Sequence, residues 1–238
     1  MSQLRSGIKA GTVIALGYIP IAIAFGLLAK AAGIAWWIPC LMSLIVFAGA
    51  SQFVGINMIA LGAASWEIVM TTFILNLRHF LMSTALSQRI RGGTSKGLLA
   101  IIAFGVTDET FSVASLRKEE KLTASFLLGL NFIAYSAWNA GTWLGMALGS
   151  TLPASVQSSM GISLYAMFIG LLIPTLRQSH PALTVSCLSI AASSFLSWVP
   201  GLRELSAGWI IMIATLIAST AGALLFPAQE SDKEEKPA

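Results

Sequence analysis

Charge is what this chain has least of: Asp, Glu, Lys and Arg make up 10% of its 238 residues, against roughly 25% in soluble domains. Cysteine is nearly absent too. Cys40 and Cys187 each fall inside an apolar run with no further ligand close by. They read as small packing residues rather than as a disulfide or a metal site. The net charge of +4 gives no basic stripe for nucleic acid, because Lys and Arg sit mostly in short links between apolar runs, where they set membrane orientation. A soluble domain is missing as well. The one hydrophilic run, 229–238, has the composition of a disordered tail.

What remains is apolar. Hydrophobic residues make up 56% of the chain and its mean hydropathy is +0.80. They come in runs of about 18 to 27, each long enough to cross roughly 30 Å of hydrocarbon as a helix. The expected fold is therefore all-α: a polytopic helical membrane protein, with one membrane domain over 1–228. The expected segments are 8–31, 36–62, 67–88, 98–115, 123–150, 160–176, 182–199 and 207–226. Arg5 and Lys9 before the first run resemble a signal peptide. That run is too long for one and further spans follow, so it reads as a retained span with a cytoplasmic N-terminus. Trp36, Trp37, Trp66, Trp198 and Trp209 fall at segment ends, where indole rings favour the headgroup boundary.

Eight simple crossings would place the basic links at Arg89, Arg91, Lys96 and at Arg117, Lys118, Lys121 on opposite sides, in conflict with the positive-inside rule. The conflict disappears if 98–115 re-enters on the side it came from, its backbone buried in protein or lining a cavity. Seven crossings with one re-entrant piece is thus preferred over eight. Two segments look broken: the first at Gly17-Tyr18-Ile19-Pro20, where an ordinary proline kink is the competing reading, and the second at Phe47-Ala48-Gly49-Ala50-Ser51-Gln52-Phe53. An internal duplication is suggested by spaced glycines in the first segment (Gly26, Gly33) and the fifth (Gly141, Gly145, Gly149). Each precedes a Ser-Leu and a Phe-x-Gly, at Ser43, Leu44 and Phe47 and at Ser163, Leu164 and Phe168.

Ionisable groups deep in apolar segments are costly and mark functional sites. Asn76, Arg78 and His79 lie in the third segment, with Asn76 and His79 on one face and Arg78 offset. Arg78 cannot be neutralised, so it needs Asp108 or Glu109 as counter-ion. That pair either fixes packing, grips a substrate carboxylate, or couples transport to protons by exchanging partners. His79 is a proton relay or a hydrogen-bonded structural residue. Asp108 and Glu109 stand about 100° apart on a helix and cannot share one partner. If one takes Arg78, the other is protonated or faces a water path; alternatively both lie near a membrane surface. Asn131, Tyr135 and Asn139 form a stripe that packs helices or lines a path. Ser186, Ser189, Ser193 and Ser197 form a small face for packing. Gln52 either caps a broken helix end or binds the charged groups of an amino acid.

The run from Phe47 to Phe53, with Gly17, Pro20, Ala24-Phe25-Gly26-Leu27 and Asn76-Leu77-Arg78-His79, resembles the AzlC family, large subunits of bacterial branched-chain amino acid exporters. Thr107-Asp108-Glu109 fits the same pattern. The resemblance covers most of the chain from about Gly7 to Phe226. It implies an inner-membrane exporter of leucine, isoleucine and valine, with methionine as a further candidate. It also implies an obligatory small AzlD-type membrane partner and no cofactor. Ser51, Gln52, Arg78 and Asn139 are the expected substrate contacts, with Phe47 and Phe53 supplying apolar walls; Asp108, Glu109, His79 and Arg78 are the expected coupling groups. A Ser51–His79 nucleophile and base is the enzymatic alternative, and it lacks an arguable oxyanion site. A non-transporting assembly subunit and an ion channel are the others.

Overall fold

The structure, a computed structural model, describes residues 2–119, 121–149, 179–202 and 205–227, together with 169, 172, 173, 176 and 177. Most of the sixth expected segment, 160–176, and the tail lie outside the described residues, as do Ser163, Leu164 and Phe168 of the suggested duplication. Among the described residues all regular elements are helices, apart from one isolated bridge. The chain divides into two compact units, Met1–Phe168 and Ile169–Ala238.

In the first unit, helix α1 (Ser2–Ala31) is followed by α2 (Trp37–Ile45), α3 (Gly49–Ala60), α4 (Ser65–Ser87), α5 (Lys96–Phe104), α6 (Asp108–Ser115) and α7 (Ala124–Leu148). The break expected at Pro20 is absent, for Pro20 lies inside a continuous α1. Proline removes one backbone donor and crowds the preceding turn; here extensive packing on α7 holds the helix through that defect. Glycines make the packing close. A Cβ on Gly26 would stand 2.5 Å from the Thr142 carbonyl oxygen, and one on Gly145 would collide with that of Ile23. Small residues let membrane helices approach in this way. Gly129 lies by Leu4, Gly141 by Ala22 and Gly145 by Gly26, so α1 and α7 run parallel and side by side.

Against this pair, two helical hairpins enter from opposite ends. Trp36, just before α2, packs on Trp143, whereas Leu44 near its end accepts a 2.9 Å bond from Tyr135; α2 therefore runs antiparallel to α7. The chain then turns at Phe47, whose φ of 46° is left-handed. It climbs back as α3, with Phe53 reaching Phe25. Gln52 bonds Ser43 at 2.9 Å, although in one continuous helix these residues would stand about 13 Å apart. The expected crossing at 36–62 is thus a folded-back pair. Its left-handed residue reverses the chain where a continuing helix would have carried it across.

The second hairpin enters from the other end. Helices α5 and α6 are bent by 116°. Asn131 donates to the Ile102 carbonyl and Tyr18 touches Thr107 at the turn, while Arg117, just beyond α6, reaches Ser6 near the start of α1. The link after α4 lies there too. Arg91 N donates to Leu122 O and Leu122 N to Arg89 O. The Arg89 guanidinium collects the carbonyls of Ala114, Ser115, Arg117 and Glu119. Both basic links therefore lie at the end of the unit that holds Arg5 and Lys9.

In the second unit, α8 (His180–Trp198) and α9 (Ala207–Leu225) are antiparallel, since Val185 near the start of one meets Gly222 near the end of the other. Trp198 closes α8 and is 82% exposed, and Trp209 stands in the first turn of α9. Cys40 is buried on α2, but Cys187 is exposed on α8 rather than packed within its unit.

Among the described residues, four helices are long and apolar enough to cross a membrane: α1, α4, α8 and α9. The bent pair α5–α6 passes the same test if taken as one span. Helix α7 has 25 residues, about 37 Å at 1.5 Å each, and matches α1 along its length. The protein is a polytopic helical membrane protein.

Candidate functional site

The two hairpin tips meet at mid-height, beside Tyr18 of α1 and Tyr135 of α7. Phe47 at one tip lies 6.3 Å from Phe104 at the other, 5.2 Å from Tyr135 and 6.4 Å from Tyr18, ring centre to ring centre. A left-handed phenylalanine costs about 1–2 kcal/mol. Packing of a ring that is 2% exposed holds it there.

The α2–α3 tip is neutral. The Gln52 side-chain oxygen accepts from Ala48 N (3.1 Å) and from Trp138 Nε1 (3.0 Å), while its amide donates to Ser43. It is fully buried and satisfies an otherwise orphaned donor beside the start of α3. Ser51 bonds the Ala48 carbonyl and Asn76 of α4, each at 3.0 Å. In this conformation the Gln52 side chain bonds protein groups beside the start of α3. Phe53 is likewise buried, against Phe25.

The α5–α6 tip is charged. Thr107 caps α6 in a reciprocal pair with Thr110, and the first turn of α6 carries Asp108 and Glu109. Their 100° offset sends them to different helices. Asp108 pairs with Arg78 of α4 at 2.7 Å, with side chains 41% and 38% exposed. Glu109 accepts from the hydroxyl of Tyr18 on α1. Tyr18 has one proton to give, and a carboxylate can only accept; the Thr107 hydroxyl, 2.7 Å away, therefore donates to Tyr18. His79 Nδ1–H donates to the Val106 carbonyl at 2.8 Å, leaving buried Nε2 with no partner among the described residues.

A close fit locks this tip onto α7. A Cβ on Gly105 would stand 2.6 Å from that of Asn131, whose amide donates to Ile102 O. Asn139, one turn beyond Tyr135 and on the same helix, donates to the Tyr135 carbonyl, and its buried Oδ1 has no partner among the described residues.

Arg78, His79, Asp108 and Glu109 thus come together. Gln52, Ser51, Phe47 and Phe53 form the adjoining tip, and Ser51 meets Asn76 rather than the His79 that a nucleophile–base pair would need. Sequence reasoning missed Tyr18 and Trp138, which hold Glu109 and Gln52. An aromatic residue with a polar end inside an apolar segment was the available signal.

A family scan matches residues 13–152 to the family described as AzlC protein. The chain belongs to the AzlC family. The matched stretch spans both hairpins and all the tip residues named above. Among curated relatives, a membrane protein of Archaeoglobus fulgidus is 37% identical over 192 residues, covering 80% of this chain and 84% of the relative. Inner membrane protein YgaZ of Escherichia coli is 33% identical over 194 residues, 79% of each chain. Branched-chain amino acid transport protein AzlC of Bacillus subtilis is 25% identical over 196 residues, covering 80% of this chain and 76% of the relative. No solved structure matches. This AzlC-family chain is therefore a member of a transporter family; no enzyme family is indicated.

Proposed function

We propose that this protein exports branched-chain amino acids (leucine, isoleucine and valine, with methionine as a further candidate) by secondary active transport, driven by proton entry and assisted by a small AzlD-type membrane subunit. The name of the Bacillus subtilis relative supports the substrate class. The observation that carries the mechanism is the half-exposed Arg78–Asp108 pair, placed where two broken helices meet.

An amino acid zwitterion presents the same two charges as that ion pair. Its carboxylate exchanges for Asp108 on Arg78, and its ammonium group takes Asp108. The side chain lies on Phe47 and its aromatic neighbours; Ser51, Gln52, Phe53 and Asn139 shape the adjoining wall. Broken helices at the midplane are a recurring way to build such sites. In this reading α1, α4 and α7 cross while α2–α3 and α5–α6 re-enter from opposite sides, which accounts for the gathering of basic links at one end. The positive-inside rule makes that end cytoplasmic.

The test is efflux of preloaded labelled leucine, valine and methionine from cells expressing the chain, with and without the small partner, beside Asp108→Asn. Partner-dependent efflux that is lost in the variant supports the reading. Efflux unchanged after the proton gradient and membrane potential collapse would rule out coupling. A current independent of amino acid would mean a channel.

A further inference from the structure

The two hairpins meet tip to tip, and the first turn of each returning helix carries a side chain of glutamate shape, Gln52 on α3 and Glu109 on α6. Each follows a long helix and dips back from the end at which that helix stops. Since α1 and α4 run in opposite directions, the two hairpins enter from opposite ends. Ser51 meets Asn76 of α4, as Asp108 meets Arg78. Gln52 accepts from the ring N–H of Trp138, as Glu109 accepts from the hydroxyl of Tyr18. The two aromatic donors therefore meet two side chains of one shape, a permanently neutral amide and an acid.

From this we infer that Tyr18 and Glu109 form a proton-operated latch on the α5–α6 hairpin, with Tyr18 as its positioning residue, and that Gln52 is the fixed counterpart which keeps the α2–α3 hairpin indifferent to pH. The inference deepens the transport reading and rests on it. While Glu109 is ionised, the bond from Tyr18 is charge-assisted and roughly twice as strong as a neutral one, tying the hairpin to α1. A proton arriving on the free electron pair of a Glu109 oxygen converts that carboxylate to a donor. The bond from Tyr18 then becomes a neutral one, its charge assistance is lost, and the hairpin is held less tightly to α1. When the proton leaves to water on the other side, the latch re-forms.

The charged groups facing Glu109 are few. Tyr18 of α1 bonds it and His79 of α4 interacts with it electrostatically, while Asp108 is its neighbour on α6. Arg78 is held by Asp108. Tyr18 alone hydrogen-bonds the Glu109 carboxylate directly among the described residues.

The test compares gradient-driven leucine efflux with leucine–leucine exchange, in cells expressing the chain with its partner, for wild type, Tyr18→Phe and Glu109→Gln. Exchange returns the protein through the same steps and needs no net proton movement. A fall of about tenfold in the ratio of driven efflux to exchange, in both variants, is expected. An unchanged ratio and pH profile in Tyr18→Phe would overturn the latch, because a merely structural loss lowers both rates together. If Tyr18→Phe fails to reach the membrane, Glu109→Gln decides; its amide oxygen still accepts from Tyr18, so a normal response to the gradient overturns the proposal.

A second readout separates this inference from the transport reading. In a Cys40→Ala, Cys187→Ser background, a Phe104→Cys reporter is labelled with a membrane-impermeant thiol reagent as pH falls. Labelling that changes several-fold with pH, and no longer does so with Glu109→Gln, supports the latch even if leucine proves not to be carried. Labelling indifferent to pH in a protein that exports leucine overturns the latch and leaves the transport reading standing.

Discussion

The α2–α3 and α5–α6 hairpins share a place against the α1–α7 pair, each bringing its tip to mid-height, and differ in charge. The first satisfies its turn internally: Gln52 binds Ala48, Ser43 and Trp138, all neutral. The second projects Asp108 and Glu109 toward two separate helices. A buried amide has one state, whereas an acid has two. Two hairpins that meet tip to tip can therefore serve as a fixed wall and as a switch.

The comparison breaks most severely if the charged tip loses its counter-ion. Asp108→Ala leaves Arg78 uncompensated at mid-height, and efflux of labelled leucine should fall at least about tenfold, a barrier change of about 1.4 kcal/mol or more. Recovery of part of that efflux in the swapped double variant, Arg78→Asp with Asp108→Arg, would show that the pair itself matters. Failure of the double variant while both proteins reach the membrane would assign the role to position rather than to pairing.

Both hairpins rest on one scaffold, so disrupting it should damage them equally. Gly145→Val drives a branched side chain onto the Ile23 carbonyl, and overpacking of this kind costs about 1–3 kcal/mol. Thermal unfolding in detergent should begin several degrees lower, at about 2–4 °C per kcal/mol for a chain of this size. An unchanged midpoint would mean that α1 and α7 separate at little cost.

Making the neutral tip resemble the charged one sharpens the contrast. Gln52→Glu places an acid in a fully buried site, and unpaired buried charge is unfavourable. The variant should be less stable at neutral pH and regain stability as pH falls and the carboxyl protonates. Thermal midpoints measured across pH check this; a midpoint that does not move with pH would mean that the site hydrates freely.

The smallest effect concerns fit. Gly105→Ala presses a methyl group onto Asn131 and should lower the thermal midpoint by a few degrees. Combining it with Asn131→Gly should cost less than the two single changes added together, since every Asn131 side-chain atom that the methyl group strikes is then gone. Additive losses would argue that the tip shifts to make room.

Much of this was legible from residue order. Apolar runs of spanning length announced a membrane bundle, and the paired basic links announced that 98–115 turns back. The small residues around Gln52 announced a break in the second segment. Pro20 left two readings open, and the continuous α1 fits the relieved kink, because the proline penalty is local and the glycine-mediated contact with α7 outweighs it. The reversal at Phe47 was hidden for a related reason: a left-handed phenylalanine is held by rings from α1, α5 and α7, all distant in sequence.

By itself, then, the order of residues determined that the chain lives in a membrane, that charged groups stand inside apolar segments, and that Asp108 and Glu109 must part company, because hydropathy, length and helical spacing are properties of short stretches. Only the tertiary structure decided which acid meets which partner, that Tyr18 completes the cluster, and that two hairpins meet tip to tip. Those outcomes depend on the register between α1 and α7 and on turns held by distant side chains.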